Sequence, residues 1–182
     1  RLLHDDPVPP EYAFIKLIEK YDIKRLASVY AQIVPLAMED GLTAVKYVRQ
    51  HAAEYHLDPN KIGFMGFSAG GTVTMSVVYN ANEGNRPNFV APVYASMGQV
   101  IGSNVPAAIT PIFITVAGDD DFNFAPENVR LYLKWLEAKQ PAELHVYEKG
   151  GHGFGLKKQH LPVDTWIRRF EDWLVMHGYL TN

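Results

Sequence analysis

Three short stretches carry residues able to do chemistry together. Residues 63–71 read GFMGFSAGG, with Ser68 between Gly66 and Gly70; residues 118–128 read GDDDFNFAPEN, with Asp119, Asp120 and Asp121 in a row; residues 149–155 read KGGHGFG, with His152 enclosed by glycines. A serine hydroxyl is a poor nucleophile until a base takes its proton, and the base works best when a carboxylate orients it. One serine, one histidine and one of three aspartates are the side chains that acyl transfer through a covalent intermediate requires. Each has a plain alternative. Glycines beside a strand end are often only a turn, an aspartate run is often a capping loop, and most of the seven histidines are expected on the surface or in packing, His51, His56 and His177 among them.

Their positions favour the chemical reading. Residues 62–67 are an apolar run of strand length, and residues 69–80 carry Val73, Met75, Val77 and Val78 with helix-compatible content, so Ser68 sits where a strand turns into a helix. Residues 89–94 and 111–116 are two further apolar strands, and the aspartates follow the second. Residues 143–148 (ELHVYE) alternate as a fourth strand, and His152 follows it. Between them Pro126 suits a first helical position, with Val129, Tyr132, Leu133 and Leu136 on one face. Residues 164–177 open on a capping-type Asp164, bury Ile167, Phe170, Trp173 and Leu174, and stop at Gly178. Strands alternating with helices predict an α/β fold, a mostly parallel sheet covered on both faces, with its chemistry at the carboxyl ends of the strands.

Upstream, residues 7–10 (PVPP) read as loop and 11–20 as a short helix. Residues 23–30 read as a weak strand, and 38–55 as a helix through Leu42, Val45, Val48 and Ala52, closed by DPN at 58–60.

The glycines have a physical reason. A sharp strand-to-helix turn pushes the serine into a cleft but crowds neighbouring chain, so positions two before and two after it are expected to lack side chains, as Gly66 and Gly70 do. The Ala69 amide, at a helix N-terminus, is then aimed where an acyl oxyanion would form.

Composition bounds the rest. The chain has 182 residues, 47% of them apolar, enough for one domain with a substantial core. A formal charge of −3 and the lack of a Lys/Arg cluster argue against a nucleic-acid partner. No apolar run reaches the roughly 18 residues that span a bilayer, so a soluble protein is expected, cytoplasmic or secreted after processing. With no cysteine there is no disulfide and no thiolate metal site, and the acidic triplet with His152 or His145 has no recognisable metal-ligand spacing. A homo-oligomer is compatible with this composition.

The order Ser, Asp, His, each after its own strand, is that of the α/β-hydrolase triad. GFSAGG, AGDDDFNFAPENVRLYLKWLEAK and AELHVYEKGGHGFGL, with the approach LDPNKIGFMGFSAGG, resemble the small α/β-hydrolase carboxylesterases that include acetyl-xylan and feruloyl esterases and acetyl-esterase or lipase-like proteins, with prolyl-oligopeptidase-type peptidases as more distant kin. The resemblance runs from about Tyr30 to the C-terminus. It implies a serine ester hydrolase without a cofactor, with Ser68 as nucleophile and His152 as general base. Counting from Gly118, the family pattern implies Asp121 as the acid, with Asp120 next in line and Asp119 as a loop cap. The implied substrate is a small-molecule or carbohydrate ester with a short or aromatic acyl group, and Phe67, Phe122, Phe124 and Phe154 could wall its site. The alternatives are a non-catalytic binding protein on the same fold and a serine peptidase, the latter lacking its usual gating domain here. The chain departs from the family in showing no early Gly-rich loop for a second oxyanion donor and too few N-terminal strands. Either an upstream part is missing, which the start at Arg1 and the helix expected at 11–20 favour, or the chain is a reduced hydrolase with a different second donor.

Overall fold

The computed structural model describes residues 23–97 and 104–181, with 23–29 described by their backbone. The loop expected at 7–10 and the helix expected at 11–20 lie outside these residues. Two compact units are distinguished, Arg1–Leu36 and Ala37–Asn182. The sheet, and every residue of the site, belong to the second.

The described chain opens with helix α1 (Ile23–Gln50), followed by β1 (Gly63–Phe67), α2 (Ala69–Asn80), β2 (Phe89–Val93), β3 (Ile112–Ala117), α3 (Ala125–Glu137), β4 (Ala142–Tyr147), a 3₁₀ turn (Pro162–Thr165) and α4 (Trp166–Met176). The strand expected over 23–30 is therefore the start of a helix. Its short apolar run fits either period, but Ile23, Leu26, Tyr30 and Ile33 continue at helical spacing into the segment that follows, and the longer pattern prevails.

The four strands lie side by side in chain order and all run parallel. Their registers match Gly63–Phe67 to Phe89–Val93 on one flank and Ile112–Ala117 to Ala142–Tyr147 on the other. The central strands β2 and β3 are almost wholly buried, which is why they read as continuous apolar runs. On one face Met75 and Val78 of α2 and Leu131 and Trp135 of α3 pack with Val90, Ile112 and Ile114. On the other, Trp166, Phe170 and Trp173 of α4 pack with Ala91, Val93 and Phe113. Each face buries at least one tryptophan to within 2% of complete exclusion from solvent.

The end of α4 follows the expected reading. Gly178 takes φ +72°, and Tyr179 N–H donates to Leu174 O at 2.8 Å while Gly178 N–H donates to Val175 O at 2.9 Å, closing the helix in a Schellman motif. Its start differs. The Asp164 carboxylate accepts from the amides of Gln159 and His160 rather than from the helix, so it ties down the preceding loop. Those amide hydrogen bonds, Gln159's first, hold its carboxyl below the usual range.

Candidate active site

All four strands end at the same edge of the sheet, and the residues that follow them meet there. After β1, Ser68 takes φ +53° and ψ −117°, a conformation that costs a side-chain-bearing residue on the order of 1–3 kcal/mol. It is held by neighbours: Ser68 N–H donates to Val93 O of β2 at 2.9 Å, and its carbonyl accepts from Gly71 N–H at 2.9 Å and Thr72 N–H at 3.2 Å. The turn lifts the hydroxyl out of the strand and starts α2 at Ala69, whose first amides have no intrahelical acceptor.

The tightness of the turn is borne by Gly66 and Gly71. A Cβ at Gly66 would lie 2.1 Å from the carbonyl oxygen of Gly70, and one at Gly71 would lie 2.5 Å from the Ala95 Cβ. At Gly70, expected from the spacing to need its missing side chain, a Cβ would meet nothing within 4 Å. The physical reason is direction: Gly70 points away from the sheet, and the helix turns Gly71 onto the chain after β2.

Ser68 Oγ lies 2.8 Å from His152 Nε2. On the far side of the ring, His152 Nδ1 lies 2.8 Å from Asp120 Oδ2. The three side chains brought together are thus Ser68, His152 and Asp120. The expected acid, Asp121, is exposed and stands one residue beyond the contact. The turn after β3 decides this. Asp120 N–H donates to Ala117 O and Asn123 N–H donates to Asp120 O, while Asp120 Oδ1 accepts from Phe122 N–H, so Asp120 is folded inward against the imidazole while Asp121 is left exposed. A carboxylate can only accept, so it fixes the imidazole proton on Nδ1 and leaves Nε2 as an acceptor for the serine hydroxyl.

Asp119 binds backbone instead. Its Oδ1 accepts from Gly150 N–H at 2.9 Å and Gly151 N–H at 2.8 Å, and Lys149 Nζ stands 3.7 Å from its Oδ2. The Gly151 amide does most to hold this carboxyl below its ordinary range; burial opposes it, and the Gly150 amide and the Lys149 charge add to the lowering.

Aromatic rings enclose the imidazole. Phe122 meets it edge-on at 4.7 Å, Phe124 at 5.5 Å and Tyr94 at 5.0 Å. Phe67 is 40% exposed, lying against Tyr94 and Trp166. Phe154, grouped with these by sequence, is buried in the core and supports Tyr94 from beneath. Tyr94 escaped the sequence reading because it closes the strand expected over 89–94, whereas β2 ends at Val93 and Tyr94 opens the loop that follows. Burial pushes its phenol up, with Asp120 adding to that and a hydrogen bond from Gly155 opposing it.

Residues 18–120 match the BD-FAE family. An acetylxylan esterase of Xylanibacter ruminicola is 24% identical over 159 residues, which are 71% of this chain and 33% of that protein. The chain therefore spans about a third of the length of that relative. Among solved structures, the acetyl ester-xyloside bifunctional hydrolase of Caldicellulosiruptor lactoaceticus superposes with a TM-score of 0.68 at 24% identity, covering 79% of this chain and 66% of that one. The Thermogutta terrifontis esterase 2 phosphoramylated by tabun gives a TM-score of 0.65 at 24% identity, covering 80% and 66%. The parallel sheet, the strand-end serine and a family match over more than half of its length together make this chain a member of the BD-FAE family, with the α/β-hydrolase fold.

Proposed function

We propose that this chain is a serine carboxylesterase acting on short-acyl or aromatic-acyl esters, carbohydrate esters among them. The observation that carries the reading is the continuous relay from Ser68 Oγ to His152 Nε2 and from His152 Nδ1 to Asp120 Oδ2, each step 2.8 Å.

In this reading Ser68 Oγ attacks the ester carbonyl as its proton passes to His152 Nε2. The imidazolium is stabilised by Asp120, whose side chain is fully removed from solvent. The carbonyl electron pair moves onto oxygen, and the Ala69 amide at the start of α2 stabilises the oxyanion. The intermediate collapses by breaking the bond to the alcohol oxygen, which leaves with the proton from His152. Ser68 then carries the acyl group. A water gives a proton to His152, attacks the acyl carbon, and the second collapse returns the proton to Ser68 and releases the acid. The wall of Phe122 and Phe124, stacked with ring centres 5.6 Å apart, offers an apolar surface beside the imidazole for the acyl portion. The acetyl esters in the names of two similar proteins agree with a short acyl group.

The test is hydrolysis of p-nitrophenyl acetate, with Ser68→Ala as control. Release of p-nitrophenol by the parent chain, abolished in the variant, is the expected result. Hydrolysis that survives the substitution removes Ser68 from the mechanism.

A further inference from the structure

Asp119 and Asp120 are adjacent in sequence, yet both reach across from the tip of β3 to the loop after β4. Asp120 takes the imidazole of His152. Asp119 takes the backbone of the two residues just before it, one carboxylate oxygen accepting both successive amides.

Two consecutive N–H groups can converge on one oxygen only where the chain curls tightly, and here Gly151 provides the curl with φ +66°. Gly150 has little room for a different reason: a Cβ there would lie 3.1 Å from the Ala117 Cβ and 3.2 Å from the Val163 Cγ2, a tight fit. The loop is fastened elsewhere too, by Gln159 Nε2 donating to Gly150 O at 3.0 Å and Trp166 Nε1 donating to Gly155 O at 2.6 Å. Those two tethers lead toward α4. Besides the Asp120 contact itself, Asp119 ties the residues immediately before His152 to the strand that presents its acid.

We propose that Asp119 is a positioning residue for His152, a carboxylate clamp that sets the distance between the β4 loop and the tip of β3. The inference rests on the esterase reading for its kinetic consequence but not for its geometry. With the clamp removed, the Gly150 and Gly151 amides turn to water, the loop gains freedom, and the imidazole spends less time bridging Asp120 and Ser68. A stepwise loss of alignment of this kind lowers the rate of serine attack more than the binding of ester.

Two readouts on the full chain test it. One is the NMR signal of the His152 Nδ1 proton, which a hydrogen bond to Asp120 shifts downfield and protects from exchange. The other is the rate at which a fluorophosphonate labels Ser68. For Asp119→Ala, the proton signal is expected to broaden or vanish at neutral pH and labelling to slow by at least about 10-fold. Asp119→Asn keeps an acceptor oxygen and is expected to recover labelling to within about 3-fold of the parent. If Asp119→Ala does not fold, Asp119→Glu, which displaces the oxygen by one methylene, is read in the same way. A sharp Nδ1 proton and labelling within about 2-fold of the parent would overturn the clamp, even if the melting temperature falls. Failure of the parent chain to label at all counts against the esterase reading, and the proton signal then decides the clamp by itself.

Discussion

His152 Nδ1 and Asp120 Oδ2 stand 2.8 Å apart, with the two side chains 8% and 0% exposed. In so dry a setting the carboxylate depends on protein donors rather than water, and the imidazole is one of them. Asp120→Asn removes the charge and lets the ring adopt the wrong tautomer, so ester hydrolysis is expected to fall on the order of 1000-fold to 10000-fold. Asp121→Asn, at an exposed position, should stay within about 3-fold of the parent. Comparing kcat/KM for the two variants assigns the acid. A large loss at Asp121 with little at Asp120 would reverse it.

The two glycines after Ser68 should behave oppositely. A Cβ at Gly71 would press on the Ala95 Cβ at 2.5 Å, and neither atom can rotate away. Gly71→Ala is expected to cost about 1–3 kcal/mol through overpacking. At Gly70 there is open space within helix α2, so Gly70→Ala should be neutral or gain up to about 1 kcal/mol from helix propensity. Urea unfolding of both variants decides it, and a greater loss at Gly70 would mean that the turn packs differently.

Much of this site is legible in residue types and spacing alone, and the differences at Asp120 and Gly71 share a cause. Strands β1 to β3 lie close to where their apolar runs placed them, because strands covered on both faces leave continuous apolar stretches, and edge strand β4 lies where the alternation of ELHVYE placed it. Ser68 and His152 stood out because glycines surround them at strand ends. What could not be read was side-chain direction. Three identical aspartates differ only in how the turn after Ala117 folds, and Gly70 differs from Gly71 only in which way the helix faces it. The helix begun at Ile23 is illegible for a separate reason: its first eight residues fit either period, and only the twenty that follow make it helical.

At the opposite end of the sheet, Arg49 should matter for stability alone. Its guanidinium donates to Pro59 O at 3.1 Å, Gly84 O at 3.3 Å, Arg86 O at 2.8 Å and Asn88 Oδ1 at 3.0 Å, joining α1 to the loops that lead into β1 and β2. A lysine ammonium has no planar fork to reach those acceptors together. Arg49→Lys is expected to lose about 1–3 kcal/mol in urea unfolding while kcat in the folded protein is unchanged. A fall in kcat with stability intact would contradict this division between frame and site.

Tyr79 offers a test of pH dependence away from the site. Its ring meets Trp135 edge-on at 6.0 Å, and its hydroxyl is buried without a hydrogen-bond partner among the described residues. Burial pushes the phenol from 10.0 up to about 12. Since the folded value exceeds the unfolded one, stability is fully present below pH 10 and is lost as pH rises from there through about 12, because the unfolded chain ionises first. Partial exposure of the group screens the effect, so the loss should be about 1–2 kcal/mol rather than the full amount. Tyr79→Phe removes both the orphan hydroxyl and the titration. It is expected to gain about 0.5–1 kcal/mol at pH 7 and to flatten the alkaline limb of the stability curve. Urea unfolding at pH 7 and near pH 11 measures both effects. A Tyr79→Phe variant less stable at pH 7 by more than about 1 kcal/mol would show that the hydroxyl has a favourable partner after all.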